Sequence, residues 1–286
     1  MLQLTVLLQQ ALPEATVLAL AAYGELLLER SGRINLGLEG LLYFAYGAAA
    51  AASVATGSPL AGVVAAIAAA FALNIIYYSA VELLGVDQVV TGLALVFLGM
   101  GLGDIAGNST HGAAGPTLPS TPFYISTLVV LPMLLYLFLY RHWRGYALRS
   151  LGEDEEAAKH LGISSHGYRL AAVAVEAVLV GLAAAFFLMG YSNGRWTAGR
   201  ITGKGWLALG MVILGYWNPV GVAVASYLLG LLYSLQPLLP SLLPSSPVYT
   251  VLADAAPYLA VIVALAVMSR LYERRGLKPP AAVWRA

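Results

Sequence analysis

The sequence predicts an all-α fold: a polytopic transmembrane helical bundle of about eight membrane elements, some of them broken helices, forming one domain over residues 1–286. Three observations carry this expectation. The chain is 60% hydrophobic and only 10% charged, with a mean hydropathy of +0.79, whereas a soluble domain needs about a quarter of its residues charged. Apolar runs of about 20 residues, the length that crosses a hydrocarbon core, recur along it. Its Lys and Arg residues collect on alternate connections between those runs. The formal net charge of +1 gives no field that would draw nucleic acid. The absence of cysteine excludes disulfides and thiolate metal sites.

The first run, 4–28, begins without the basic leader of a secretory signal and reads as mature protein entering its first span. Runs at 36–56, 60–81 and 88–106 follow, and then GNSTHGAAGPTLPSTP (107–122), polar and rich in Gly and Pro, reads as an irregular connection. Further runs occupy 124–141, 169–190 and 249–272. The region 206–236 is interrupted by YWNPVG (216–221), where proline removes a backbone donor and constrains its neighbour. Two segments result, 206–217 and 219–236, hinged at Asn218 and Pro219. The first is short for a full span and fits a broken or re-entrant element buried in protein. With a cytoplasmic C-terminus, twelve of the fifteen Lys and Arg lie inside and only Arg195, Arg200 and Lys204 outside. The inverted topology would reverse the usual bias, so the expected protein is a multi-pass cell-membrane protein with its C-terminus inside.

One stretch stands apart. RSLGEDEEAAKHLGIS (149–164) concentrates Glu153, Asp154, Glu155, Glu156, Lys159 and His160 in the longest polar connection, 142–168. Gly152 and Gly162 bracket a short helix over 153–161. Its acids fill the first turn and its bases the last, which complements the macrodipole. Gly162 is placed as the residue just past the C-cap. Ala157 and Ala158 leave one side smooth. On these grounds alone the segment is equally a solvated loop helix or a docking helix.

Its spacing, Glu156-Ala157-Ala158-x-x-x-Gly162, resembles the coupling-loop motif of ABC importer permeases, without the I-x-L-P extension found in one subclass. ERSGRINLGLEGLL (29–42) is similar to the S-G-x-I-N-x-G-x-E-G signature of nucleoside-type permeases. DQVVTGLAL (87–95) and GWLALGMVILGYWNPVG (205–221) resemble later blocks of the same branch, which also serves simple sugars and branched-chain amino acids. The resemblance implies that Glu153, Glu155, Glu156, Ala157, Ala158 and Gly162 dock on a separate ATP-binding subunit. It also implies a second permease subunit, an extracytoplasmic substrate-binding protein and a small polar solute, with ATP and magnesium held by the partner.

Within SGRINLGLEG, Gly32, Gly37 and Gly40 disfavour an unbroken helix, and Asn35 and Glu39 share a face if the segment is helical. A carboxylate near a span is by default a functional candidate. The alternative is that Glu39 pairs with Arg30 or Arg33 while Asn35 caps the second span. The resemblance favours a pathway or gating role for both, with Gly37 and Gly40 as hinges. Glu25, Asn74, Glu82, Gln88, Glu176 and Asp254 are further polar residues in apolar surroundings, and structural pairing is the favoured role for each. Glu29 is spaced to pair with Arg33 at i, i+4. Tyr43, Tyr46, Trp206 and Trp217 are able to stack on a nucleobase, although Trp and Tyr also favour membrane interfaces. The pathway candidates are therefore Asn35, Glu39, Tyr43, Gln88 and Trp206.

No phosphate-loop motif occurs; AGRITGKGW (198–206) lacks the leading Gly and the hydroxyl after Lys204. The four His residues, 111, 142, 160 and 166, are too scattered for a metal site. The chain is thus expected not to be an enzyme. The competing class is a stand-alone secondary transporter or channel using Glu25, Glu39 or Glu176 as its coupling carboxylate.

Overall fold

The computed structural model describes residues 2–119, 121–236, 247–274 and 280. Among them every named element is helical, and the one extended pairing is an isolated bridge between Ala114 and Arg195. In chain order these are α1 (Leu2–Arg30), α2 (Leu38–Thr56), α3 (Pro59–Tyr78), α4 (Gln88–Asn108), α5 (Thr121–Ile125), α6 (Leu131–Arg141), α7 (Trp143–Glu153), α8 (Glu155–His160), α9 (Ser165–Phe186), α10 (Lys204–Leu214), α11 (Pro219–Leu235) and α12 (Pro247–Arg274). Single π turns extend α3 through Leu83 and α9 through Tyr191, and a third joins α5 to α6 just before Pro132 withdraws a backbone donor. Among the described residues six helices are long and apolar enough to cross a membrane, and shorter apolar segments lie at Lys204–Leu214, Pro219–Leu235 and, within α12, Ala255–Leu271.

Burial grades these helices from centre to edge. The spanning window of α1 is 89% buried and that of α9 78%, against 33% for α4 and 22% for the α5–α6 rod. α1 packs against α9, α10 and α11, while α2 packs against α3, α4 and α9. Small residues set the closest approaches, as the hydrophobic effect gives little between helices that lipid would solvate equally well. The backbones of α2 and α4 meet at Gly40 and Gly99, and again at Gly47 and Gly103. Gly40 is therefore a helix contact inside α2.

Three interruptions break the bundle. α1 ends in a Schellman cap: Gly32, at φ +88°, donates to the Glu29 carbonyl and Arg33 to that of Leu28. Residues 31–37 then turn the chain back into α2. Residues 192–203 approach α10 without regular structure. The third break is the expected one at YWNPVG, where Tyr216 and Trp217 stand at φ +54° and +50°. Asn218 caps α11 by accepting from the Val220 and Gly221 N–H groups, with Pro219 in the first turn.

The connection 142–168 holds more helix than its sequence suggested. Residues 143–153 form α7, capped by His142, whose side chain accepts from the Arg144 N–H at 3.2 Å. Gly145, Leu148 and Gly152 fall on one buried face at helical spacing. Gly152 accordingly lies inside α7, and Glu153 is its last residue instead of opening the charged helix. The charged helix α8 is capped by Asp154, which accepts from the Ala157 N–H at 3.0 Å. It closes as expected at Gly162, which stands at φ +81° and donates to the Lys159 carbonyl.

Candidate functional site

The inner break, 31–37, is held by side chains from four helices. The Asn35 N–H donates to Glu25 Oε1 of α1 at 2.9 Å. Its amide Nδ2 donates to Asn74 Oδ1 of α3 at 2.9 Å and lies 3.4 Å from Glu176 Oε1 of α9. Its Oδ1 accepts from the Gly37 N–H at 2.9 Å. Asn74 in turn donates to Glu176 Oε2 at 3.0 Å and to the Val173 carbonyl at 3.0 Å. The Ile34 N–H donates to Gln88 Oε1 at 3.2 Å, and the Tyr77 hydroxyl donates to the Ile34 carbonyl at 2.6 Å. Every backbone group that the break withdraws from helical pairing needs such a partner away from water. Asn35, Glu25, Asn74 and Glu176 are fully buried. None of the ion pairs among the described residues involves Glu25, Glu29 or Glu176.

The second construction lies along α2. Residues 192–203 run beside it in the opposite direction, and α2 side chains take up the free amides. The Thr197 N–H donates to the Tyr46 hydroxyl at 3.2 Å and the Gly199 N–H to the Tyr43 hydroxyl at 3.0 Å. The Tyr43 hydroxyl itself donates to Asp104 Oδ1 of α4 at 2.6 Å. The Glu39 carboxylate receives the Gly203 N–H at 2.5 Å and the Gly205 N–H at 2.8 Å. A half-helix that starts inside a bundle presents unpaired N–H groups and a positive dipole end. Glu39 meets both needs at the start of α10. Lys204 beside it is buried and pairs with Glu14 of α1 at 2.6 Å.

The third group ties α8 to the first break. Arg169, at the base of α9, is 1% exposed. Its Nη1 and Nη2 donate to the two Glu155 oxygens at 3.1 and 2.6 Å. Nη1 also reaches Glu82 Oε2 at 3.1 Å, and Nε reaches the Ser31 carbonyl at 3.3 Å. Glu82 is shared with Arg33. Burial alone would raise the Glu155 carboxyl, but the hydrogen bonds and charges of Arg169 and Lys159 outweigh it and hold it down at about 2. On and around α8, Glu153, Asp154, Glu156, Ala157 and Gly162 are exposed, whereas Ala158 is buried.

The expected pathway residues thus divide. Asn35 and Gln88 meet at the inner break, while Glu39 and Tyr43 meet at the 192–203 segment. Trp206, 41% exposed, lies just beyond Glu39 in the first turn of α10. Gly37 is the N-cap residue of α2 at φ −74°. Glu39 pairs with neither Arg30 nor Arg33. The expected Glu29–Arg33 pair is not formed, because Gly32 ends the helix and carries Arg33 across to Glu82. Glu29 accepts instead from the Trp217 indole, and Trp217, 4% exposed, is no interfacial belt residue. Lys204, one of the three cations expected on the outer side, is buried against Glu14. The Asp254 side chain lies outside the described residues. Sequence reasoning missed Arg169, since Glu155 is fourteen residues away and nothing local joins them.

An apolar cavity of about 510 Å³ between α10, α11 and α12 is lined by Met, Leu, Val, Ala and Gly alone, whose side chains offer a polar solute no hydrogen bond. A model of the family "Branched-chain amino acid transport system / permease component" matches residues 7–269. The chain belongs to this family. A Haloferax volcanii relative named "Putative glucose ABC transporter permease protein TsgC13" is 32% identical over 253 residues, 80% of this chain and 76% of that one. The guanosine ABC transporter permease protein NupQ of Bacillus subtilis is 27% identical over 299 residues, covering 92% of this chain and 91% of its own. Among solved structures, an inward-facing conformation of a "putative metal-chelate type ABC transporter" matches with a TM-score of 0.52 and 19% identity, over 90% of this chain and 84% of that one. That likeness concerns the fold. The permease is accordingly a multi-pass membrane protein and a non-catalytic transport component.

Proposed function

We propose that the chain is one permease subunit of an ATP-driven importer that moves a small polar solute inward by alternating access, with nucleosides the first solute class and simple sugars the second. The observation that carries this reading is α8: a capped, outward-facing acidic helix outside the membrane bundle, joined to a helix break within it. The glucose and guanosine names of the relatives support the two solute classes. In this reading residues 142–168 and the C-terminus are cytoplasmic. Glu153, Glu156, Ala157 and Gly162 form the exposed face that meets an ATP-binding subunit, while Glu155, bonded to Arg169, and the buried Ala158 turn inward and hold the helix to the bundle. ATP and magnesium belong to that subunit. A second permease, identical or homologous, completes the path, and an extracytoplasmic binding protein delivers the solute. Asn35, Glu39, Tyr43, Gln88 and Trp206 are the residues of this chain nearest to that path.

The solute class is tested by screening nucleosides, sugars and amino acids against the cognate binding protein, then measuring ATP-dependent uptake of the solutes that bind. Guanosine or another nucleoside is the expected ligand. Binding of branched-chain amino acids alone would overturn the assignment. The docking role is tested with Glu156→Lys, which reverses charge on the exposed face, and Gly162→Pro, which cannot adopt the positive φ that closes α8. Both are expected to insert normally while losing the ATP-binding subunit on co-purification. Full retention in both would remove α8 from the interface.

A further inference from the structure

Resting on the reading of α8 as the docking helix, we propose that Arg169 is the positioning residue that transmits movement of α8 to the 31–37 break. Two independent contacts carry this. The first is the guanidinium itself: it fixes Glu155 of α8 with two hydrogen bonds, at 3.1 and 2.6 Å, and through Nε holds the Ser31 carbonyl at 3.3 Å. Its third partner, Glu82, closes α3 and also binds Arg33. One rigid, planar group therefore joins the helix outside the bundle, the end of α3 and both sides of the turn that follows α1. The second contact is steric. Gly152 of α7 lies so close to that turn that a Cβ on it would stand 2.5 Å from the Arg30 carbonyl oxygen and 3.4 Å from the Gly32 nitrogen. Thus α7 bears directly on the turn while α8 is tethered to it.

From Ser31 the chain needs four residues to reach Asn35, whose backbone and side chain bind α1, α3 and α9 together. A displacement of α8 that keeps the Arg169 bonds must move the turn, and the turn cannot move without disturbing Asn35. Packed interiors respond to such displacements by switching between discrete arrangements, not by stretching smoothly. Lys159 also pairs with Glu155, at 2.7 Å, but it is 55% exposed and lies on α8 itself, so it carries nothing inward. Arg169 is the buried member of the cluster that is bonded at once to α8 and to the break.

The absence of cysteine makes the test direct. Ile34→Cys places a thiol in the break, and its labelling by a maleimide is followed in the complete transporter, in proteoliposomes, without nucleotide and with ATP plus vanadate. In the otherwise unaltered chain the labelling rate is expected to change by at least about fivefold, the lower end of ordinary coupling between two sites. Adding Arg169→Gln should reduce that change to less than about twofold while the ATP-binding subunits stay bound and hydrolyse ATP. Glu155→Gln, which leaves Arg169 with Glu82 and so keeps its buried charge paired, should do the same. Arg169→Lys should restore part of the response, since a single ammonium reaches fewer of the three partners.

The failures are distinguishable. A full nucleotide response in Glu155→Gln and Arg169→Gln, with the ATP-binding subunits bound, would overturn the transmission role and leave the docking reading intact. No response even without these substitutions, again with the subunits bound, would also overturn it. A complex in which α8 can be deleted without loss of the ATP-binding subunits would overturn the docking reading itself, and the transmission role with it.

Discussion

Two of the three breaks in this bundle, 31–37 and 192–203, are built on one principle and to different ends. In both, a carboxylate from a neighbouring helix takes the N–H groups that the missing helical turns leave free: Glu25 at residue 35, Glu39 at residues 203 and 205. The surroundings differ. The 192–203 segment is fixed on α2 by two tyrosines and on α1 by the buried Lys204–Glu14 pair. These anchors lie within the bundle, and the segment also pairs with the 107–122 connection, where the Gly115 N–H donates to the Gly194 carbonyl. The 31–37 break depends on Asn35 at one end and, at the other, on an Arg and Glu cluster that reaches out to α8. One break is anchored and the other is tethered to something that moves in the proposed cycle. An interrupted helix therefore reads as a possible moving part only when its anchors are known.

The largest expected effect falls on the anchored break. Glu14→Gln or Lys204→Met alone leaves a buried charge without its partner, which costs about 3–5 kcal/mol. The unfolding of the purified permease in detergent should show it as a marked loss of thermal stability. Replacing both, as Glu14→Leu with Lys204→Met, should recover most of that loss. If the single variants are as stable as the parent, the pair does not anchor α10 and the comparison fails on that side.

Asn35→Leu tests the tethered break. It removes the donor to Asn74 and leaves the Gly37 N–H without an acceptor, each worth about 1–3 kcal/mol when buried. Its distinguishing result is functional: uptake should fall while the ATP-binding subunits remain bound. Glu39→Gln should likewise impair uptake with the complex intact, because the start of α10 loses a charged acceptor worth about 1.5–3 kcal/mol. Wild-type uptake in both would remove these residues from the path. Tyr43→Phe is milder, about 1 kcal/mol for the lost hydroxyl contacts with Asp104 and Gly199, and should be visible mainly as faster amide exchange over 192–203.

Most of the helices were legible in the sequence because lipid imposes a length and a composition on them. The run at 88–106 became Gln88–Asn108, and the segment at 219–236 became Pro219–Leu235. The YWNPVG break was legible from proline, and the end of α8 from glycine. What escaped was whatever depends on residues far apart in the chain. Nothing near Glu39 announces that it would cap a helix beginning at Lys204, nor does the apolar run after Arg169 show that its first turn binds Glu155. Asn35 and Glu39 share a face if 31–40 is helical, yet they serve different breaks, because α2 starts between them at Leu38. α7 escaped for a local reason. Its buried stripe is made largely of glycine and alanine, so it carries little hydrophobic signal.

The smallest expected effect sharpens the tether. Glu155 has its folded pKa held down at about 2, against 4.5 for an unperturbed glutamate. A depressed carboxyl contributes stability that is complete above the unfolded value and is lost as pH falls toward the folded one. The Glu155–Arg169 bond should therefore be at full strength from neutrality down to about pH 5 and should fade between there and about pH 2. Because Glu155 is partly exposed, solvent screening limits the effect to about 1 kcal/mol or less. Absolute stability in that range is dominated by other carboxyls, so the useful quantity is the difference between the parent and Glu155→Gln. Those other groups cancel in the difference. It should be constant above about pH 5 and shrink steadily as pH falls through about 2. A difference that persists unchanged to pH 2 would mean that Glu155 stabilises α8 without its charge, and Arg169 would then hold the helix less firmly than its bonds imply.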